Sequence, residues 1–347
     1  MSKSLKNCFD KKLTFEKLLE AEKRARKNKS NKREILEFEI DLESNIINIL
    51  RELKEERYKL GKYREFKVFE PKERIIKSLP YKDRIVQQWY VEEFIKPFFV
   101  PRMIYDSYAC IEQRGTHKAV DQVQRYMKRM KKEFPNYYVL QGDIRKFFFS
   151  INRNKLYEIL KRKIKDKKLL ELTYLFIFDN EDSASIPIGN YTSQYFGNIY
   201  LNELDWYIKN KLKVKYYVRY LDDFIVFGRS KKECKEIKEK IGIFLKDKLM
   251  LEYNPKSRYY PSRLGIDFCG YRIFEKYRLV RKRSKKKIKK NIKIWKKLKS
   301  EGKLNKKKME QSYKSWLGHI KHASSYYLKI NIECRLEKLD KEISNFF

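Results

Sequence analysis

Over residues 14–27 (TFEKLLEAEKRARK) and 33–56 (REILEFEIDLESNIINILRELKEE), apolar side chains recur every three or four positions with charged ones between them. That spacing predicts amphipathic helices, separated by the polar NKSNK loop. From Tyr63 to Pro80 the pattern shortens to β-like pieces, YREFKVFEP and RIIKSLP, and helical spacing resumes over 83–98, so a mixed α+β lobe is expected. Further on, YVLQGDI reads as a buried strand that carries Asp143 near its end, with a helix starting around Asn152. In YYVRYLDDFIVFG, residues 216–228, two β-rich runs flank a polar centre, which predicts a tight hairpin with Asp222 and Asp223 at its tip. Beyond residue 280 the chain turns strongly basic, and Ile288, Ile292, Trp295 and Leu298 keep helical spacing through it.

Composition narrows the partners. Hydrophobic residues make up 42% of the 347 positions, enough for a packed core rather than a disordered basic tail. Lys and Arg number 84 against 46 Asp and Glu, a net charge of +38 spread along the whole chain, which points to a polyanion and first to nucleic acid. The five cysteines are scattered, with no C-x-x-C pair, and only three histidines accompany them, so neither a disulfide framework nor a zinc site is implied. His319 and His322, three apart, read as polar positions or RNA contacts. No signal-like or membrane-length apolar run occurs, and a cytoplasmic protein is the default expectation.

Carboxylates set among apolar runs are costly unless something compensates them. For Asp143, Asp222 and Asp223 a common answer is a pair of Mg²⁺ ions, roughly 3.5–4 Å apart, as used in nucleotidyl transfer.

At this point the motifs resemble those of a known family. Tyr220-Leu221-Asp222-Asp223 looks like the YxDD box of reverse transcriptases, and DIRKFF, from Asp143 to Phe148, resembles their first acidic motif. Between them, IPIGNYTSQYFGNIYLNELD (186–205) is similar to the glycine-containing loop and helix of that superfamily. NPKSR (254–258) and FCGYRI (268–273) resemble its lysine motif and primer grip, and RIIKSLPYKDR (74–84) and SYACIEQRGTHKAV (107–120) its fingers motifs. Ser193-Gln194 and Ala109-Cys110 stand where group II intron enzymes usually carry Ser-Pro and Gly-Phe, and both variants look like reverse transcriptases of diversity-generating retroelements.

The resemblance implies an α+β right-hand polymerase: an N-terminal helical extension (1–62), fingers (63–136), a palm with an antiparallel sheet packed on helices (137–275) and a basic helical thumb (276–347). It implies copying of a template-repeat RNA into cDNA, error-prone at template adenines, for mutagenic retrohoming. An anti-phage defence reverse transcriptase of the abortive-infection or unknown-group kind is the alternative. Implied partners are template RNA, primer and cDNA, dNTPs and a small basic accessory protein oligomer; the implied cofactor is Mg²⁺, two ions, with Mn²⁺ as a substitute.

Carried over residue by residue, Asp143, Asp222 and Asp223 are catalytic and metal-binding, with Ile144 adding a backbone carbonyl. Lys72, Arg74, Phe148, Gly189, Gln194 and Lys256 would meet the dNTP, Phe148 as a steric gate; Lys77 is a further fingers cation. Ile188 and Gln194 would set fidelity, and Cys269, Gly270 and Tyr271 would form the primer grip.

Overall fold

The computed structural model describes residues 4–69, 73–178 and 185–337. Its centre is an antiparallel sheet of β3 (Tyr138–Asp143), β4 (Tyr217–Tyr220), β5 (Asp223–Gly228) and β6 (Arg258–Pro261), in the order β4-β5-β3-β6. Side chains alternate across a strand, and here both faces are covered. On β3, Leu140 points into a large core while its neighbour Val139 points into a second one, and both are fully buried. Val226 and Ile225 divide in the same way on β5.

The helix Lys231–Leu249 covers the first face through Ile237, Ile241 and Leu245, and the helix Thr116–Glu133 covers the other through Val120, Val123 and Met127. Each presents one apolar stripe at three- and four-residue spacing.

The large core reaches back to the start of the chain. Thr14 Oγ1 accepts from Lys17 N at 3.3 Å and caps the helix Phe15–Arg26. The helical pattern over 33–56 is two helices, Arg33–Ile40 and Leu42–Lys54, broken at Asp41, whose φ −119, ψ 48 leaves the helical region. Ile35, Ile46, Ile49 and Leu53 then pack in one cluster with Trp89, Tyr90 and Phe94 of the following helical stretch. Asp166 ties the N-terminal segment down, accepting from Cys8 N, Phe9 N and Leu169 N.

Two smaller sheets flank this body. β1 (Arg64–Val68) and β2 (Arg74–Ser78) form a two-stranded hairpin whose β1 side chains are all exposed. It is fastened by Lys77 N donating to Ile188 O at 2.9 Å. β7 (Ile266–Phe268), β8 (Tyr271–Ile273) and β9 (Arg278–Val280) lead into three helices, Lys282–Ser300, Lys306–Ile320 and Tyr326–Glu337. These enclose a core of their own built on Ile288, Ile292, Trp295, Met309, Tyr313 and Trp316. Ile288, Ile292 and Trp295 of the basic run share the face that packs on this core, which holds the run as a helix, while Ile294 is exposed.

Candidate active site

Asp143 closes β3 and Asp223 opens β5, and the two are register partners, so antiparallel pairing alone brings carboxylates eighty positions apart side by side. Tyr220 pairs with Asp223, leaving Leu221 and Asp222 as a two-residue turn. Leu221 adopts φ 56, a left-handed conformation unusual for a side chain other than glycine. Three acidic groups therefore share one edge of the sheet.

Their electrostatics follow from that crowding. Burial pushes the Asp223 carboxyl up, the charges of Asp222 and Asp143 push it further, and the group comes to about 7. Asp222 is also raised, first by burial and then by Asp143, against its own backbone N–H and the nearby Arg74 and Arg219 cations, which hold it down. Negative charge is thus concentrated beyond what the surrounding cations neutralise.

Two features hold Asp143 in place. Ser257 Oγ accepts from Asp143 N and donates to Asp143 O, each at 3.0 Å, while Asn254 N donates to the same carbonyl at 2.7 Å. Gly142 sits against Phe224, so that a Cβ there would lie 2.2 Å from the ring. A glycine inside a strand is the sequence signal of such close approach, and the motif reading passed over it.

Residues 66–273, more than half of the chain, match the family described as "Reverse transcriptase (RNA-dependent DNA polymerase)". The chain belongs to the reverse transcriptase family. Among its relatives are the group II intron-encoded protein LtrA of Lactococcus lactis subsp. cremoris, 24% identical over 56% of this chain and 43% of that protein. The putative COX1/OXI3 intron 2 protein of Saccharomyces cerevisiae is 27% identical over 47% of this chain and 27% of that protein. The chain therefore spans less than half the length of either relative. Telomerase from Candida albicans, solved with a fragment of telomeric RNA, superposes with a TM-score of 0.51 at 11% identity, over 84% of this chain and 62% of that one, a likeness of fold.

The other expected residues are placed by their elements. Lys256 is exposed on the Asn254–Ser257 turn, one residue from the serine that clamps Asp143. Arg74 lies at the exposed start of β2, close enough to Asp222 to lower its pKa. Lys77 is engaged in an ion pair with Glu65 at 3.1 Å, and Lys72 lies outside the described residues. Phe148 is half-buried beside Phe147, and both rings pack on Gly197, where a Cβ would stand 3.5 Å from Phe148. Ile144 is buried where the chain leaves β3.

Gly189 has φ +130, and a Cβ there would lie 2.3 Å from Lys77 O, so its first job is to let the β1–β2 hairpin approach. Asn190 precedes the helix Tyr191–Trp206, yet its side chain donates to Tyr63 OH at 2.8 Å and makes no cap bond. The hairpin takes it instead. Ile188 lends its carbonyl to Lys77, and Gln194 is exposed on the first turn of that helix.

Cys269 and Gly270, φ 46 and 91, are the two central residues of the β7–β8 turn, the signature of a type I′ hairpin. Burial and then the Asp223 charge push the Cys269 thiol up, placing the turn beside the acidic edge. Tyr271 OH donates to His319 O at 2.7 Å, with His319 Nδ1 at 3.0 Å and His117 Nδ1 at 3.4 Å. His117 and His322 stack at 3.6 Å, so all three histidines gather where the C-terminal helices meet the sheets. Sequence spacing paired only two of them.

Among the described residues no three His, Cys, Asp or Glu side chains form a ready-made metal cage. The donor set nonetheless suits Mg²⁺: hard carboxylate oxygens crowded at one sheet edge in excess of their counter-charges. Among the described residues no helix is long and apolar enough to cross a membrane.

Proposed function

We propose that this reverse transcriptase is an RNA-directed DNA polymerase of the diversity-generating retroelement type, copying a template-repeat RNA into cDNA with errors at template adenines. The observation that carries the polymerase reading is the pairing of Asp143 with Asp223 beside Asp222 at one sheet edge. The retroelement type rests on Ala109-Cys110 and Ser193-Gln194. In this reading β1–β2 with the helices around it is the fingers, the four-stranded sheet the palm and the C-terminal three-helix unit the thumb. The basic face of Lys282–Ser300 follows the phosphate backbone.

Asp143 and Asp222 would hold the Mg²⁺ ions, with Asp223 and the Ile144 carbonyl beside them. The ions would supply Lewis-acid stabilisation of the charge that develops at phosphorus. The chain's own part is positioning. Arg74 and Lys256 would neutralise triphosphate oxygens, as forked and point cations respectively. Phe148, backed by Phe147 and Gly197, would fill the space a 2′-hydroxyl needs. The Cys269-Gly270 turn would seat the primer end against the acidic edge. The +38 charge makes a basic accessory protein an RNA-bridged rather than a direct partner.

Primer extension with Mg²⁺ and dNTPs on an adenine-containing RNA, followed by cDNA sequencing, tests the reading. Errors opposite adenine from the wild type and no product from Asp222→Asn are expected. Faithful cDNA would overturn the retroelement assignment, and undiminished synthesis by Asp222→Asn would overturn the active site.

A further inference from the structure

Behind the Asp222 turn lies a guanidinium with no access to solvent. Arg219, on β4 three residues before Asp222, is fully buried and forms a two-pronged ion pair with Asp205 of the helix Tyr191–Trp206. Nε donates to Asp205 Oδ1 at 2.7 Å and Nη2 to Oδ2 at 2.6 Å. Its remaining nitrogen, Nη1, donates forward to Leu221 O at 3.1 Å and sideways to Asn198 Oδ1 at 3.0 Å. Asn198 in turn donates to Ala109 O at 2.8 Å. The Arg219 main chain is bound as well, its N–H to Asp106 O at 2.9 Å and its carbonyl by Tyr108 N at 3.0 Å.

A buried ion pair is a poor way to gain stability, because desolvation offsets most of the attraction. What a planar fork provides is direction. Asp205 fixes the plane of the guanidinium, and that plane aims Nη1 at the carbonyl of Leu221, the left-handed residue on which the turn depends. A flexible ammonium in the same place would satisfy Asp205 without reaching both Leu221 and Asn198.

We infer that Arg219 is a positioning residue: it transmits the placement of the Tyr191–Trp206 helix to the Asp222-Asp223 turn and thereby holds these carboxylates in register with Asp143. The inference rests on the polymerase reading for its kinetic consequence, but not for its structural one. Because the same helix carries Gln194 at its start and Asn198 and Asp205 further along, the surface under the substrate and the acidic turn are set by one rigid element.

The test is Arg219→Lys, with Tyr217→Phe as the comparison. Tyr217 OH also donates to Asp205 Oδ1, at 2.7 Å, so its loss disturbs the same network without touching the turn. In Arg219→Lys, amide hydrogen exchange at residues 221–223 should quicken about tenfold or more while Tyr138–Asp143 stays protected. At a temperature where the variant is fully folded, kcat for primer extension should fall by about 10- to 100-fold with the dNTP KM unchanged. Tyr217→Phe should lower the melting temperature and leave kcat near that of the wild type. Unchanged exchange at 221–223 in Arg219→Lys would overturn the inference whether or not the chain polymerises, and so would a kcat loss that merely tracks the unfolded fraction in both variants. A wild type that makes no cDNA would count against the polymerase reading alone, since the exchange result decides the positioning role by itself.

Discussion

Gly189→Ala places a methyl carbon 2.3 Å from the Lys77 carbonyl oxygen and 3.0 Å from Ile76 Cγ2. Ordinary contact begins near 3.4 Å, so the β1–β2 hairpin must retreat by about 1 Å. Alanine at φ +130 is strained by about 1–3 kcal/mol. The retreat also weakens the 2.9 Å bond from Lys77 N to Ile188 O, a further ~1 kcal/mol. Together these come to about 3 kcal/mol against docking of the hairpin, a factor of about 100 in the docked population. If Arg74 on that hairpin meets the dNTP as proposed, the dNTP KM in primer extension should rise about tenfold or more. Because the side chains of β1 are all exposed, the melting temperature should shift little. A Gly189→Ala enzyme with wild-type KM for dNTP would refute the view that Gly189 serves the hairpin's approach.

Three further outcomes follow. Gly142→Ala, which drives a methyl to 2.2 Å from the fully buried Phe224 ring, should cost about 2–4 kcal/mol by denaturant unfolding. It should also lower kcat, because the displaced strand carries Asp223; unchanged stability would mean that the ring has room to move. Burial, and after it the neighbouring histidines, depress His117 and His319 below the ordinary value, so the unfolded chain binds protons more readily than the folded one. Their contribution is complete above about pH 6.5 and is lost as pH falls through that value toward the depressed folded pKa, with Asp121 and Arg278 the other charges facing His117. Thermal melts from pH 8 to 5 should show the loss, reduced in His117→Gln. Asp166 goes down overall: burial raises it, but the N–H groups of Phe9, Leu169 and Cys8 outweigh that. Its contribution is therefore present above about pH 4 and lost below it, and Asp166→Asn should flatten that acid limb of the stability curve.

The acidic edge was legible because the apolar run of β3 ends in a carboxylate and that of β5 begins with one, and antiparallel pairing does the rest. The apolar spacing over 14–27 made the first long helix legible, and Thr14 caps it. The Asp41 break was not legible, since apolar spacing continues unbroken across 33–56 while the backbone turns between Ile40 and Leu42. Arg219 escaped for a related reason: a cation in a chain with 84 of them reads as surface, and only the tertiary meeting with Asp205 makes it a core residue. His117 belonged with His319 and His322, but nothing local joins positions two hundred residues apart. Asn190 makes no cap bond, and its Nδ2 donates to Tyr63 OH, a partner just before β1 that only the tertiary fold brings near.

β3 is the first strand of the central sheet to be synthesised, yet it lies between β5 and β6. A ribosome that has released Asp143 has released neither of the strands that flank it. Until Pro261 emerges, one edge or both of β3 stay unpaired, and an apolar strand in that condition invites pairing with other nascent chains. β6 is thus the last strand of the sheet to join, and with it comes the Asn254–Ser257 turn that clamps Asp143. Slow translation between residues 144 and 261, or a chaperone that shields the bare strand, should therefore govern the yield of active enzyme more than the fate of the helices at either end.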